Sequence, residues 1–257
     1  NTRIQQMNIF SAALKSFNPP AAYADAAFNW KWKSVAYFIF LCVIAAAAGS
    51  LMSAKYVGDF YDNYAAPAMA DMDKIEISPS GVKTPDGKPV ELKSKSGKVF
   101  AIATPDRLDA AKVKGLLFSI EGDRISIYAS GLPEQSIPLD SAVANGETVK
   151  LSAMFPSKNA MLFAILPTLY LATAAFMNII YILAMGLAAK TLALTAMPSL
   201  GYLKCVKVAL IAITPPTLID LLVMAVAGTP MPGIIFATIT GVLVWLAVRA
   251  MSKNAQN

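Results

Sequence analysis

Histidine is missing altogether, and cysteine occurs only twice in 257 residues. Without histidine the chain lacks the side chain that most often serves as general base, proton shuttle or metal ligand near neutral pH. The cysteines, Cys42 and Cys205, fall inside or at the edge of apolar runs. The polar middle of the chain therefore has no disulfide and must hold itself by packing. There is no Cys/His spacing for zinc. Charge is scarce as well: 15% of residues are charged, against about 25% in an average soluble domain. The deficit is local. Of the 16 acidic residues, all but Asp25 and Asp220 fall between positions 55 and 160.

What the chain has instead is long apolar runs. It is 56% hydrophobic, with a mean hydropathy of +0.53. Ser34–Ala54, Met161–Ala189, Val206–Gly228 and Gly233–Val248 each come close to the ~20 residues that cross a bilayer core as a helix. A signal peptide is the rival reading of Ser34–Ala54. Its apolar run exceeds the h-region of such a peptide, and more than thirty residues precede it. A true span is the expectation.

The net charge of +6 raises the question of nucleic acid, and its placement answers it. Arg3, Lys15, Lys31 and Lys33 precede the first run. Lys190, Lys204 and Lys207 lie around the join of the second and third, and Arg249 and Lys253 follow the fourth. Asp25 is the one acid among them, whereas the middle is close to balanced. This is the positive-inside pattern of a membrane protein. It puts both termini and the Lys190–Lys207 join in the cytoplasm, and residues 55–160 and the Thr229–Pro232 turn outside. No nucleic acid, metal or cofactor is expected; membrane lipids and other membrane proteins are.

The expected fold is an α-helical integral membrane protein with four transmembrane helices and an extracytoplasmic β-rich (α+β) domain inserted between helices 1 and 2. Residues 1–33 form a cytoplasmic amphipathic, interfacial segment and 34–54 transmembrane helix 1. The β-rich domain covers 55–160 and helix 2 covers 161–189. A basic cytoplasmic loop takes 190–205, helix 3 takes 206–228, helix 4 takes 233–249, and 250–257 is a cytoplasmic tail.

Ile4, Met7, Phe10, Leu14 and Phe17 recur at three- and four-residue spacing, one face of a helix. That face suits either the plane of the membrane interface or packing on the protein's own spans or on a partner. Asn18-Pro19-Pro20 breaks the helix, and a second short helix is expected over Ala21–Phe28. Trp30, Lys31, Trp32 and Lys33 read as an interfacial anchor, with indoles at headgroup depth and cations toward phosphate.

In the middle domain a helical or irregular extension is expected over Lys55–Asp73. About six short strands are expected, drawn from Lys74–Ser78, Val90–Lys93, Val99–Thr104, Leu116–Ile120 and Arg124–Tyr128 and from the two further candidates Ile137–Leu139 and Val149–Ser152. Asp86-Gly87 is a hairpin signal, Glu121-Gly122-Asp123 a clearer one, and Asp106–Lys114 a short helix. The acid pairs Asp106 with Asp109 and Glu121 with Asp123 read as caps and solvated turns, and no phosphate loop follows a strand.

The sharpest feature is Thr214-Pro215-Pro216-Thr217-Leu218-Ile219-Asp220. Adjacent prolines remove backbone donors and kink the helix. Asp220 shares a helical face with Thr217 and Pro216, and an acid at that depth should be paired or protonated. Thr168, Tyr170 and Thr173 of the second span are expected at comparable depth, as its partners. The group is either a polar site for an ion, proton or lipid headgroup, or a hydrogen-bonded lock on helix register.

Ser16-Phe17-Asn18-Pro19-Pro20-Ala21-Ala22-Tyr23, followed by Trp32-Lys33 and a span, resembles the opening of bacterial domain-of-unknown-function family 1189. Leu117-Phe118-Ser119-Ile120-Glu121-Gly122-Asp123 resembles that family's internal strand pair. The resemblance implies one span, an outside β-rich insertion and three more spans with a proline-containing third. It further implies a bacterial inner membrane, a periplasmic middle domain, no assigned catalytic residues, and a distant fold-level likeness to Yip membrane proteins. The functional expectation is a non-enzymatic inner-membrane scaffold or accessory subunit of a complex. The alternative is a small transport or lipid-handling component using Asp220 and the Pro215-Pro216 break.

Overall fold

The computed structural model of the chain describes residues 7–17, 21–108, 115–128, 133–143 and 147–256. The chain divides into two compact units, Asn1–Met52 with Ile165–Asn257, and Ser53–Ala164. Ile4, Asp109 and the Asn18-Pro19-Pro20 break lie outside the described residues.

Helix α1 (Ile9–Lys15) starts at Asn8, whose side chain accepts the Ser11 N–H at 2.7 Å, as an N-cap does. α2 (Ala21–Asn29) follows, then α3 (Trp32–Phe60). The helical path runs on through a π-helical turn, Tyr61–Ala65, into α4 (Ala66–Met72). Pro67 explains the turn. Proline lacks an N–H and crowds the carbonyl four residues back, here that of Asn63. The widened turn accommodates it, and the freed Asn63 carbonyl accepts the Lys95 N–H at 2.7 Å.

Within Ser53–Ala164, eight strands among the described residues form two sheets. They are β1 (Glu76–Ser78), β2 (Gly81–Lys83), β3 (Val90–Lys93), β4 (Val99–Thr104), β5 (Phe118–Glu121), β6 (Arg124–Ile127), β7 (Gln135–Pro138) and β8 (Val149–Lys150). One sheet has the order β2-β1-β8, the other β3-β4-β5-β6-β7. The expected Glu121-Gly122-Asp123 hairpin joins β5 to β6, with Gly122 at φ +55°. Asp86-Gly87 does not form a hairpin. It is a single 3-10 turn between β2 and β3, which belong to different sheets, and the Ser78–Gly81 turn closes the real hairpin, β1–β2. β4 and β5 pair in parallel, so they need a crossover connection. Part of that connection, 109–114, lies outside the described residues, and Asp106–Leu108, expected to open a helix, is not helical. Leu139, expected in a strand, instead opens α5 (Leu139–Ala142). Short helices α6 (Leu151–Met154) and α7 (Lys158–Ala160) follow β8. Met72, Ile75, Ile77, Leu92, Phe100 and Ile120 make the core of this unit.

A second π-helical turn, Met161–Ile165, again precedes a proline, Pro167, at the start of α8 (Leu166–Ala196). α8 outruns its expected end, because Lys190–Ala196 contains good helix formers and no breaker before Pro198. The expected loop at 190–205 shrinks accordingly. α9 (Tyr202–Ala212) and α10 (Thr214–Ala227) share the third apolar run and meet at Ile213. Gly228, at φ +71°, ends α10 in the left-handed conformation glycine favours. α11 (Gly233–Gln256) extends well beyond its expected end near 249. Among the described residues, four stretches are long and apolar enough to cross a membrane: Trp32–Met72, Leu151–Ala196, Tyr202–Ala227 and Gly233–Lys253.

α9 is the centre of the helical unit. Cys205 and every residue from Val208 to Ile213 are buried, enclosed by α2, α8 and α11. Gly186 lets α8 approach it closely: a Cβ there would sit 3.1 Å from Val206 Cα.

Candidate functional site

Polar groups of the helical unit bear on the candidate site in three places. The first is Asp25 on α2, fully buried. Its Oδ2 accepts the Trp30 indole N–H at 2.8 Å and the Met7 N–H at 3.2 Å, and its Oδ1 accepts Asn29 Nδ2 at 2.8 Å. Three N–H donors meet one buried carboxylate, which is what a buried acid requires. One carboxylate thus ties the residue ahead of α1, the end of α2 and the entry to α3 together. Lys207 of α9 donates from Nζ to the Trp30 carbonyl and so joins the cluster to the central helix.

The second place is the break itself. α9 stops at Ala212, and Thr214, Pro215 and Pro216 form the first turn of α10. Prolines are tolerated there because first-turn N–H groups have no intrahelical partner anyway. The break is covered. Tyr37 of α3 puts its hydroxyl 2.7 Å from that of Thr214, and the Tyr37 ring rests on Trp30, with centroids 5.1 Å apart. Thr217 donates from Oγ1 to the Ile213 carbonyl at 2.7 Å, closing the junction from the far side.

The third place is Asp220. Its Oδ1 accepts the Met231 N–H at 2.6 Å. Met231 lies in the turn between α10 and α11, so the carboxylate staples its own helical hairpin. Thr168 and Thr173, expected as its partners, are exposed on α8. The Tyr170 ring lies against Gly49 of α3, where a Cβ would come within 2.6 Å of it. The Asp220 hydrogen bond to the turn involves neither Thr168 nor Thr173. The candidate group of Asp220, Thr217, Pro215 and Pro216 stands along α10, while Thr168, Tyr170 and Thr173 stand along α8.

The expected anchor splits too. Trp32 is 83% exposed and Lys31 is exposed, as an anchor requires, whereas Trp30 is 1% exposed. Its indole N–H is committed to Asp25, so it serves the interior. Other cations on this unit engage rings and carbonyls. Lys204 stands 4.6 Å over the Phe28 ring and Arg249 lies 5.2 Å from Trp245. Lys190 donates to the carbonyls of Pro198 (3.2 Å) and Leu200 (2.9 Å).

Asp25 is not among the site residues that the apolar pattern singles out. The signal was available: it is a lone acid in a cationic segment, four residues before Asn29 and five before Trp30.

In the sheet unit, Glu121 is buried and accepts from Leu108 N (2.7 Å) and Ser119 Oγ (2.8 Å), holding a loop to β5. Asp123 is exposed, and the Arg124 hydrogen bond holds its carboxyl below the usual range. Among the described residues no group of three or more acidic or cysteine side chains is placed to hold a metal ion. The chemistry of all these places is hydrogen bonding that fixes elements in register.

A family model described as "Protein of unknown function (DUF1189)" matches residues 10–248, nearly the whole chain. No curated protein and no solved structure matches.

Proposed function

This chain belongs to the DUF1189 family, and from that premise we propose that it is a non-enzymatic scaffold or accessory subunit of a membrane protein complex. In this reading the four apolar stretches span a bacterial inner membrane. Both termini lie in the cytoplasm and residues 55–160 in the periplasm. The distribution of cations supports that orientation.

The observation that carries the scaffold reading is the partner of Asp220. A transport site needs a polar group free to change partners in mid-membrane. Asp220 is instead bound by the backbone of the turn that closes its own hairpin. Asp25 is likewise engaged by three donors. With both carboxylates engaged by the protein itself, the unit offers a largely apolar exterior, including Leu169, Phe176, Met177 and Ile180 on α8. Lipid or partner helices fit that surface. The alternative, a small transport or lipid-handling component, draws on the break at Pro215-Pro216 and its Tyr37–Thr214 pair.

The test is extraction from native membranes in mild detergent, affinity capture of the full chain and mass spectrometry. The same membrane proteins should return in fixed ratio. Repeated recovery of the chain alone would count against the scaffold. Protease added to spheroplasts should reach residues 74–150 and spare Lys253; the reverse pattern inverts the orientation.

A further inference from the structure

Helix α3 serves as a depth ruler. Its apolar run opens at Ser34, directly after Lys31, Trp32 and Lys33. Six residues on, Phe40 lies about 9 Å farther along the axis at 1.5 Å per residue. The Phe10 ring of α1 meets the Phe40 ring edge-on, with centroids 5.2 Å apart. α1 therefore reaches well past the Lys31–Lys33 level. α2 lies along α9, with Ala22, Tyr23, Asp25, Ala26 and Ala27 buried.

The ends of α1 are furnished for a dry setting. Asn8 accepts the Ser11 N–H, Asp25 accepts the Met7 N–H, and the Tyr23 hydroxyl donates to the Ser16 carbonyl at 2.9 Å. Such partners meet the requirement hydrocarbon makes of backbone groups at helix ends, where no water can serve them.

Ile9 packs against the helical core, but the largest side chains of this segment face away from it. Small residues, Ala12 and Ser16, face inward, while Phe10 (68% exposed), Leu14 (79%) and Phe17 (52%) face out. This apolar face meets α3 at Phe40, beside the exposed Val35, Ile39 and Val43.

We propose that α1 and α2 form a membrane-embedded element that does not cross. It is sunk into the same leaflet as α9, with Phe10, Leu14 and Phe17 against phospholipid acyl chains rather than at headgroup level. Lys15, exposed on α1, has a stem long enough to carry its ammonium toward the headgroups. This rests on the transmembrane reading of the four spans and adds a fifth embedded element to it.

The test uses the full chain with Cys42 and Cys205 replaced by alanine, in vesicles of phosphatidylethanolamine and phosphatidylglycerol. Nitroxide labels are placed at Leu14→Cys, Lys31→Cys and Val43→Cys, and depth is read from collisions with oxygen and with a water-soluble nickel chelate. The Leu14 label should lie deeper than the Lys31 label and approach the depth of the Val43 label. A Leu14 label level with Lys31, with Val43 deep, overturns the proposal and leaves the transmembrane reading intact. A Val43 label open to the chelate overturns the transmembrane reading itself. On the unsubstituted chain, a phospholipid carrying a diazirine in its acyl chain should leave adducts on Phe10–Phe17. Adducts on α3 and α8 with none on Phe10–Phe17 would again overturn the proposal.

Discussion

The hydroxyls of Tyr37 and Thr214 lie 2.7 Å apart, and both side chains are fully buried. The pair bolts α3 to the first turn of α10, at the point where the third apolar run is interrupted. Tyr37→Phe should lower stability in detergent by about 1 kcal/mol, the usual net worth of one hydrogen bond. Thr214→Val should cost a similar amount, and the double variant little more than either alone. Strictly additive losses in apparent melting would mean that the two hydroxyls do not support each other.

Asp25 should act as the clasp of the N-terminal helices. Asp25→Asn turns an amide NH2 toward one of three N–H donors and should cost about 1–3 kcal/mol, the penalty of one unmet buried group. Asp25→Ala leaves all three unmet and should cost more. Hydrogen–deuterium exchange checks where the loss falls. Residues 7–17 and 21–30 should exchange faster in both variants, Ala more than Asn, with Ser53–Ala164 unchanged. Unaltered exchange over 7–30 would remove Asp25 from that role.

Three helix glycines should rank by what a methyl group would meet. At Gly186 a Cβ falls 2.8 Å from Val206 Cγ2 and 3.1 Å from its Cα, so backbone must move. At Gly49 it falls 2.6 Å from the Tyr170 ring, which can swing partly aside. At Gly241 the nearest atom is Met185 Cε at 4.0 Å. Gly186→Ala should therefore destabilise most, by about 1–3 kcal/mol as for other overpacked sites. Gly49→Ala should follow, and Gly241→Ala should be near neutral. Melting of the three variants in one detergent gives the order directly, and a Gly241→Ala loss equal to that of Gly186→Ala would contradict the packing account.

Asp220→Asn keeps an oxygen for the Met231 N–H and should leave melting close to that of the parent. Asp220→Ala removes the acceptor and should cost about 1 kcal/mol, comparable with the loss of a helix cap. If Asn abolishes a measured flux while melting is unchanged, the transport alternative gains over the scaffold.

Much of the architecture was legible because its signals are local. Four apolar runs announce four long helical stretches by length alone, the third of them interrupted at Ile213. The β5–β6 hairpin is visible because Glu121-Gly122-Asp123 joins neighbouring strands, and Gly122 supplies the positive φ the turn needs. Signals that depend on a distant partner misled. Asp86-Gly87 looks like a hairpin but connects two sheets, since β2 pairs with β1 while β3 pairs with β4. Trp30 and Trp32 look alike in sequence, yet one is buried on Asp25 and the other exposed.

Composition and order in the chain settled that this protein has four helices able to span a bilayer, and where its cations cluster. Those properties depend on what each stretch is made of, which sequence states outright. Folding alone decided that Asp220 holds Met231, that Asp25 gathers the N-terminal helices, and that α9 rather than α3 or α8 lies at the centre. A hydrogen bond or a buried face is a property of two surfaces brought together. The second surface here often lies a hundred or more residues away, as Thr214 does from Tyr37.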